Sequence, residues 1–175
     1  PIRSSAASDV YKRQEAIVMS LEVDLGGEGN LFEETERHAR RVSLTSPILS
    51  QGKFESILAL NESGLRVQVI DATYDPEVTT LKIALETLCQ EAAAHVTGGA
   101  SVLVLSDRSI AEARLPIHSL LATGAVHHHL IAHGLRADSN LIIETGSARD
   151  SHQVACLLGF GATAIYPYLA YSVLT

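Results

Sequence analysis

The chain contains little cysteine, and this shortage excludes two kinds of site. Its 175 residues include two cysteines, Cys89 and Cys156, which stand far apart in the sequence. A Cys-x-x-Cys metal or redox site needs closely spaced cysteines, and a disulfide framework needs several of them. We therefore expect two free thiols and neither kind of site.

Long apolar runs are also missing. No stretch approaches the roughly 18 consecutive apolar residues that a membrane-spanning helix needs, and the first residues lack the basic-then-apolar layout of a secretory signal. The sequence therefore predicts a cytoplasmic protein without a membrane-spanning segment.

Positive charge is scarce and scattered. The chain has 13 Lys and Arg against 20 Asp and Glu, a net charge of -7, and no basic cluster. Nucleic acids and anionic membranes are bound by concentrated positive surfaces, so we expect neither as a partner. With 46% hydrophobic and 19% charged residues, the composition is that of one ordinary globular domain.

The two ends of the chain differ from its middle. Residues 1–14, PIRSSAASDVYKRQ, resemble a translated sequencing adaptor, so we expect a non-native, disordered segment and exclude it from the fold. Glu15 follows without an initiating methionine, and Thr175 stops a few residues into a predicted helix. We expect residues 15–175 to be a fragment of a longer protein.

Regular structure is predicted only in the second part of this fragment. Residues 15–64 read as an irregular connecting segment, and residues 65–175 as βα repeats. The β-branched, apolar runs in the second part have the length of strands that are buried on both faces. These predicted strands are Val67–Ile70, Val102–Leu105, Leu141–Ile143 and Thr163–Ile165.

Helical patterns separate the predicted strands. Apolar residues recur at helical spacing within residues 81–96, 117–131 and 154–158. We expect Pro116 in the first turn of the second helix, and Ser147 with Asp150 as the N-cap pair of the third. The alternation predicts an α/β fold with a parallel sheet, incomplete and TIM-barrel-like, preceded by an irregular N-terminal segment.

Charged and polar residues follow the predicted strands. In such folds the carboxyl ends of the strands meet at one rim, which here carries Asp71, Ser106, Asp107, Arg108, Glu144, Arg149 and Tyr166. One interpretation is an anion-binding pocket, helped by the amino end of the helix after Ser147. The interpretation that we favour pairs Arg108 or Arg149 with Asp107 or Glu144, which leaves little charge for a ligand.

The histidines do not form a convincing metal motif. His129 and His133 have the i, i+4 spacing of two ligands on one helix face, but the motif lacks a third ligand. His128 lies about 20° of helix rotation from Ile117 and so shares the apolar stripe that also includes Leu120, Leu121, Gly124 and Ile131, and we expect it in the core or at an interface. Phosphate-loop, dinucleotide and nucleophile-elbow motifs are missing too, and we assign no catalytic, cofactor or metal residue.

Several longer stretches carry a resemblance to a known family. They are Ile17–Leu21, Asn30–Leu31, Ser46–Leu49, Leu105–Arg108, Pro116–Ala122, Val126–Ile131, Ile142–His152 and Gly159–Ala170. In this order they resemble the central domain of glutamate synthase. The resemblance implies a large enzyme that makes two glutamates from glutamine, 2-oxoglutarate and a reductant. It also implies that the central domain connects an amidotransferase domain to an FMN domain and helps to wall an ammonia tunnel.

The resemblance further implies where the cofactors and partners lie. The parent enzyme is expected to use FMN and a 3Fe–4S cluster, and this fragment is expected to hold no cofactor. Its partners would be the amidotransferase and FMN domains of the same polypeptide, with a small reductase subunit or ferredoxin for the parent. The electron donor, whether NADPH, NADH or ferredoxin, is left open. Met19 and Asn30 are the expected tunnel or interdomain residues.

A second function remains open at this point. The chain could be an independent α/β domain or enzyme that binds a small anion. It would then use the strand-end residues Asp107, Arg108, Glu144 and Arg149.

Overall fold

The computed structural model describes residues 19–30, 32–33, 35–62 and 65–174. The strands are β1 Val23–Leu25, β2 Val42–Leu44, β3 Asn61–Glu62, β4 Leu65–Asp71, β5 Thr73–Tyr74, β6 Val102–Ser106, β7 Leu115–Pro116, β8 Asn140–Glu144 and β9 Ala164–Tyr166. The helices are α1 Gln51–Leu58, α2 Leu81–Thr97, α3 Ser119–Ala132, α4 Ser151–Gly159 and α5 Tyr168–Leu174. The prediction for residues 1–14 lies outside the described residues.

The main sheet contains the four predicted strands. β4, β6, β8 and β9 are parallel neighbours in sequence order, and β3 lies antiparallel outside β4. Each of α2, α3 and α4 connects one parallel strand to the next. The described residues form no closed barrel. The α/β prediction with alternating βα units and an incomplete barrel is therefore confirmed.

The helices α2, α3 and α4 cover one face of this sheet. Leu103 and Leu105 of β6 pack against them together with Leu141 and Ile143 of β8. Val104, between the first two, points to the opposite face and belongs to a second hydrophobic cluster. Side chains alternate across a strand, so a parallel sheet covered on both faces needs apolar residues at every position.

The N-terminal segment covers the other face. Phe54 and Ile57 of α1 pack with Leu25 of β1 and Leu44 of β2 against the inner strand residues. The segment predicted to be irregular therefore contains a two-stranded ribbon, a helix and an edge strand. These elements were missed because each has eight residues or fewer, which is too short for a clear hydrophobic period.

The N-terminal segment also forms backbone hydrogen bonds with β9, on the side of that strand that does not pair with β8. Ile48 forms a parallel bridge with Ile165, and the Leu49 N–H donates to the Ile165 carbonyl at 2.9 Å. The Ile165 N–H in turn donates to the Pro47 carbonyl at 2.7 Å. The sheet is thus bordered by β3 on one side and by residues 47–49 on the other.

The predicted starts of two helices are wrong. Pro116 pairs with Thr73 in the small β5–β7 sheet, and α3 begins three residues later with His118 as its N-cap. The Ile117 N–H donates to the Ala72 carbonyl at 2.8 Å, which holds this backbone extended. Helix α4 is capped by Asp150, which accepts from the Gln153 N–H at 2.8 Å.

Of the two places predicted for His128, the core is wrong. Ala122, Val126 and Leu130 are buried against the sheet, whereas His128 is exposed. Both sides of this helix are apolar, so the period of the sequence could not select the inner one. Within the described ranges, no helix is both long enough and apolar enough to cross a membrane.

Candidate functional site: the strand-end network

Four side chains form one row across the carboxyl ends of the parallel strands. The register pairs Asp71 with Ser106, Ser106 with Glu144, and Glu144 with Tyr166. Residues in register on parallel strands point to the same face. The row therefore lies on the face that the N-terminal segment covers, and the Tyr166 ring stacks on Phe54 with centroids 4.4 Å apart.

Glu144 is the centre of this row. It is 7% exposed, and its two carboxylate oxygens accept from the Ser106 hydroxyl and from Nε of Arg108, each at 2.7 Å. The Arg108 guanidinium also lies over the Tyr168 ring, 4.4 Å from its centroid. The hydrogen bond to Glu144 raises the pKa of Arg108 above its ordinary value. The expected ion pair between Arg108 and Glu144 is confirmed.

Asp107 is held by a second set of donors. The Thr145 hydroxyl donates to Oδ2 at 2.6 Å, and the Gly146 N–H donates to Oδ1 at 3.1 Å. Burial, followed by a hydrogen bond with Asp107, raises the pKa of Tyr168 to about 12. A Cβ at Gly146 would stand 3.0 Å from the Tyr168 hydroxyl oxygen. Glycine therefore allows the tyrosine to close over this carboxylate.

A chain of hydroxyl groups runs from Asp107 towards α3. Thr145 Oγ1 lies 2.9 Å from Ser147 Oγ, which lies 2.7 Å from Ser119 Oγ. The single hydroxyl hydrogen of Thr145 is directed at Asp107, so its oxygen accepts from Ser147, and Ser147 accepts from Ser119. All three hydroxyl groups then donate towards the buried carboxylate. This use of Ser147 explains why the residue does not cap α4.

The two remaining charged strand-end residues are Asp71, which forms an ion pair, and Arg149, which lies outside the network. Asp71 forms an ion pair with Arg114, in which Nη2 of Arg114 lies 2.8 Å from Oδ2 of Asp71. Arg149 is exposed, and its guanidinium forms no ion pair with any described residue. The structure thus brings Asp107, Arg108 and Glu144 together and leaves Arg149 outside their network. Arg114 and Tyr168 were missed because residues far apart in sequence supply these contacts.

A small cavity lies beside the hydroxyl chain, between the amino ends of α3 and α4. Its volume is about 150 Å³, and His118, Ser119, Ser147, His152 and Cys156 are among its lining residues. Ligand sites for small molecules usually measure about 300 Å³ or more. The Cys156 sulfur lies 3.6 Å from Nε2 of His152, and none of the residues that the structure describes adds a third partner that would orient the pair for catalysis.

The described residues offer little to a metal ion. None of their His, Cys, Asp and Glu side chains come together in a group of three or more that could hold one. The rings of His129 and His133 pack 4.2 Å apart, and Nδ1 of His133 lies 2.8 Å from the His129 carbonyl oxygen. An iron–sulfur cluster needs three or four thiolates, and the whole sequence has two cysteines. The residues present do not fit such a cluster.

The two residues predicted for a tunnel lie on the N-terminal segment. Met19 is 76% exposed. Asn30 is exposed and bonded locally, because its amide donates to Glu33 at 3.1 Å and accepts from the Phe32 N–H at 3.1 Å. The segment is anchored by the Gly26 N–H, which donates to Asn140 Oδ1 at 2.7 Å. Asn140 is the first residue of β8. This hydrogen bond therefore lies at the amino ends of the parallel strands, whereas the strand-end network lies at their carboxyl ends.

Arg136 joins the loops at the amino ends of the parallel strands. Its guanidinium donates to the carbonyl oxygens of Ser139 and Gly161, the latter at 3.0 Å, and Nε donates to Nδ1 of His127 at 3.0 Å. Burial, and then the charge of Arg136, lower the pKa of His127, which keeps the ring neutral and able to accept. Burial also lowers the pKa of Arg136, and the charge of Glu28 opposes that shift. No periodic pattern in the sequence predicts these contacts.

Comparison with known proteins gives a consistent result. A family model described as the glutamate synthase central domain matches residues 10–175. The chain is similar to the chloroplastic ferredoxin-dependent glutamate synthase of Oryza sativa, with 44% identity over 162 residues, 90% of the chain and 10% of that protein. It is 39% identical to the NADPH glutamate synthase large chain of Bacillus subtilis over 159 residues, 91% of the chain and 10% of that protein.

A eukaryotic relative extends this similarity. The NADH glutamate synthase of Schizosaccharomyces pombe is 39% identical over 166 residues, 93% of the chain and 8% of that protein. The chain thus spans about a tenth of the length of the curated relatives that it matches.

Proposed function

Because the chain belongs to the glutamate synthase central-domain family, we propose that it connects the amidotransferase and FMN domains of a full-length glutamate synthase. The parent protein would convert glutamine, 2-oxoglutarate and a reductant into two glutamates. In this proposal the chain itself carries out no chemical step. Its role is to hold the two catalytic domains in position and to form part of the wall between them.

The saturation of the strand-end network is the observation that supports this role. Glu144 is bonded to Ser106 and Arg108, and Asp107 is bonded to Thr145 and Gly146. A general base needs a carboxylate with a free lone pair that faces a substrate. These carboxylates instead tie the loops after β6 and β8 together, which is the task of a rigid scaffold.

The cofactors and the electron donor belong to other parts of the proposed enzyme. FMN and the 3Fe–4S cluster would be bound by the FMN domain, and a small reductase subunit or ferredoxin would supply electrons. The names of the relatives include ferredoxin-dependent, NADPH and NADH enzymes. The contribution of this chain would be the same in all three, and no three or more of its described His, Cys, Asp and Glu side chains form a group that could hold a redox metal.

The first test compares the full-length protein with the fragment. The complete gene would be recovered, and the purified protein would be assayed for flavin content and for glutamine-dependent formation of glutamate from 2-oxoglutarate. Residues 15–175 alone would be assayed in parallel. Activity with bound flavin in the long protein and none in the fragment supports the proposal. Turnover by the fragment, or binding of inorganic phosphate to it, would instead favour the anion site at Asp107, Arg108, Glu144 and Arg149.

A second test addresses the wall of the tunnel. We propose that Met19 and Asn30 line it, because both side chains are exposed on a segment that is anchored to the sheet. In the full-length enzyme, Met19→Trp or Asn30→Leu should lower the glutamate formed per glutamine hydrolysed, since a blocked passage releases ammonia to solvent. Val78→Trp, at a residue 81% exposed elsewhere in the domain, is the control. Unchanged coupling in both variants would remove these residues from the proposal.

A further inference from the structure

Two neighbouring helices of this domain have no charged side chains. Residues 115–135, which include α3, contain no Asp, Glu, Lys or Arg, and neither do residues 151–175, which include α4. By contrast, α2 on the same face of the sheet carries Lys82, Glu86 and Glu91. A helix that borders water normally places charged residues on its outer side.

The outer side of α3 is apolar as well as uncharged. Leu121 is 43% exposed and Ile131 is 50% exposed, and His128 between them is also exposed. With Gly124, these residues follow the 3 and 4 residue spacing of one helix stripe. The stripe is opposite the one that faces the sheet, so α3 is apolar on both sides. A helix that is apolar all round is typically buried all round.

Helix α4 continues this surface. Phe160, at its carboxyl end, is 52% exposed, and its ring edge lies 3.2 Å from where a Cβ of Gly124 would be. The glycine lets the two helices approach closely enough for Phe160 to lie beside the stripe. We call Leu121, Gly124, His128, Ile131 and Phe160 the α3–α4 outer face. Contiguous exposed apolar surface of this kind usually marks a binding interface.

We propose that the α3–α4 outer face is the surface on which another domain of the same polypeptide docks. The inference rests on the proposed function in one respect, since it requires this chain to be one part of a longer, multidomain polypeptide. The curated relatives are about ten times as long as the match, so most of such a polypeptide lies outside these residues. The docking domain would present an uncharged, apolar surface, because His128 is the one member of the outer face that could pair with a charge.

The surface is suited to a permanent contact more than to a transient one. Interfaces that form and dissociate keep charged and polar groups at their rim so that each partner remains stable alone. Obligate interfaces resemble a protein core that has been cut in half. The α3–α4 outer face has the second character, since its members are aliphatic, aromatic or small with a single imidazole.

The test compares two isoleucines of nearly equal exposure in the full-length protein. Ile131 is 50% exposed and Ile83, in the charged helix α2, is 54% exposed. Hydroxyl-radical footprinting with mass spectrometry would measure the oxidation rate of each side chain. The proposal expects Ile131 to react at least about fivefold more slowly than Ile83, because a docked domain excludes water from it. Equal rates would overturn the proposal.

A photo-cross-linking amino acid at position 131 would identify the occupant, with position 83 as its control. A cross-link to a peptide of the same polypeptide outside residues 1–175 is the expected result. A band of twice the mass, with protection of Ile131 that is lost on dilution to monomer, would assign the surface to a second copy and overturn the proposal. Glutamate formation would be measured on the same preparation. An inactive protein with a protected Ile131 would contradict the proposed function and leave the docking surface standing.

Discussion

At the scale of single residues, Gly161 shows what the absence of a side chain makes possible. Gly161 has a φ of +110°, and a Cβ on it would overlap the His127 ring. Its carbonyl oxygen accepts from Arg136 at 3.0 Å. The turn between α4 and β9 therefore depends on glycine for its backbone conformation and for its approach to the His127 and Arg136 pair.

Gly161→Ala is accordingly expected to destabilise the domain by about 1–3 kcal/mol, because alanine strains this backbone and collides with the ring. Gly159→Ala is the matched control. A Cβ there would meet nothing within 4 Å, and alanine should leave stability unchanged or raise it by up to about 1 kcal/mol. Urea unfolding of both variants measures the difference, and equal stabilities would contradict the role given to Gly161.

The half-buried phenol of Tyr168 gives a prediction about pH. Its pKa is raised from 10.0 to about 12 by burial and by its hydrogen bond with Asp107. The neutral phenol is thus favoured in the folded state, so its stabilising contribution is complete below the ordinary pKa and is lost as pH rises through the raised one. An ultraviolet titration of phenolate should show a late step that Tyr168→Phe removes. A difference spectrum without this step would contradict the placing of Tyr168 over Asp107.

Some of these residues could be predicted from the sequence and others could not. The pairing of Arg108 with Glu144 follows from the rule that parallel strands deliver their carboxyl ends to one rim. Arg136 lies at the amino ends of the strands. Its partners lie on two loops and a helix, and the packing of these elements against one another follows no sequence period. The sequence therefore predicts the strand-end network better than it predicts this anchor.

At the scale of secondary structure elements, α3 shows how far hydrophobic periodicity can be trusted. The four central strands were predicted correctly because a run that is buried on both faces is apolar at every position. Helix α3 is apolar on both sides. Its sequence therefore lacks the contrast between a polar and an apolar face that would predict which side is buried. The starts of α3 and α4 were misplaced for a different reason, since hydrogen bonds from loops fix both.

A pair of substitutions in α3 tests its orientation. Leu130 is fully buried and Leu121 is 43% exposed. In the 175-residue chain, Leu130→Ala should lower the free energy of unfolding by about 2–5 kcal/mol, and Leu121→Ala should lower it by about 1 kcal/mol or less. Thermal or urea unfolding followed by circular dichroism gives both values. A larger loss for Leu121→Ala would reverse the assignment of the two faces.

At the scale of the whole molecule, the sheet depends on the segment that precedes it. Leu25, Leu44 and Leu49 are buried on the face opposite α2, α3 and α4. Residues 47–49 also supply backbone partners for β9. An uncovered sheet edge and an uncovered apolar face both promote association with other chains.

Two truncations should therefore behave differently. The chain from residue 19 retains the β1–β2 ribbon and the edge contact of residues 47–49, so it should unfold cooperatively. The chain from residue 51 keeps α1 but loses the ribbon and the edge contact, so it should self-associate more strongly and lose the cooperative transition. Size-exclusion chromatography with light scattering and a thermal melt would distinguish them. A 51–175 chain that unfolds cooperatively and associates no more than the longer chain would show that residues 19–50 are dispensable for the fold.

The contact between Ile48 and Ile165 also has a consequence for the order of events during synthesis. Ile48 leaves the ribosome more than a hundred residues before the strand that it borders. Contacts between positions so distant in sequence close large loops and form slowly. Residues 47–49 must therefore wait for their backbone partner until β9 has been made. The domain is expected to complete its fold only when nearly all of it has emerged, so its assembly would be timed by translation.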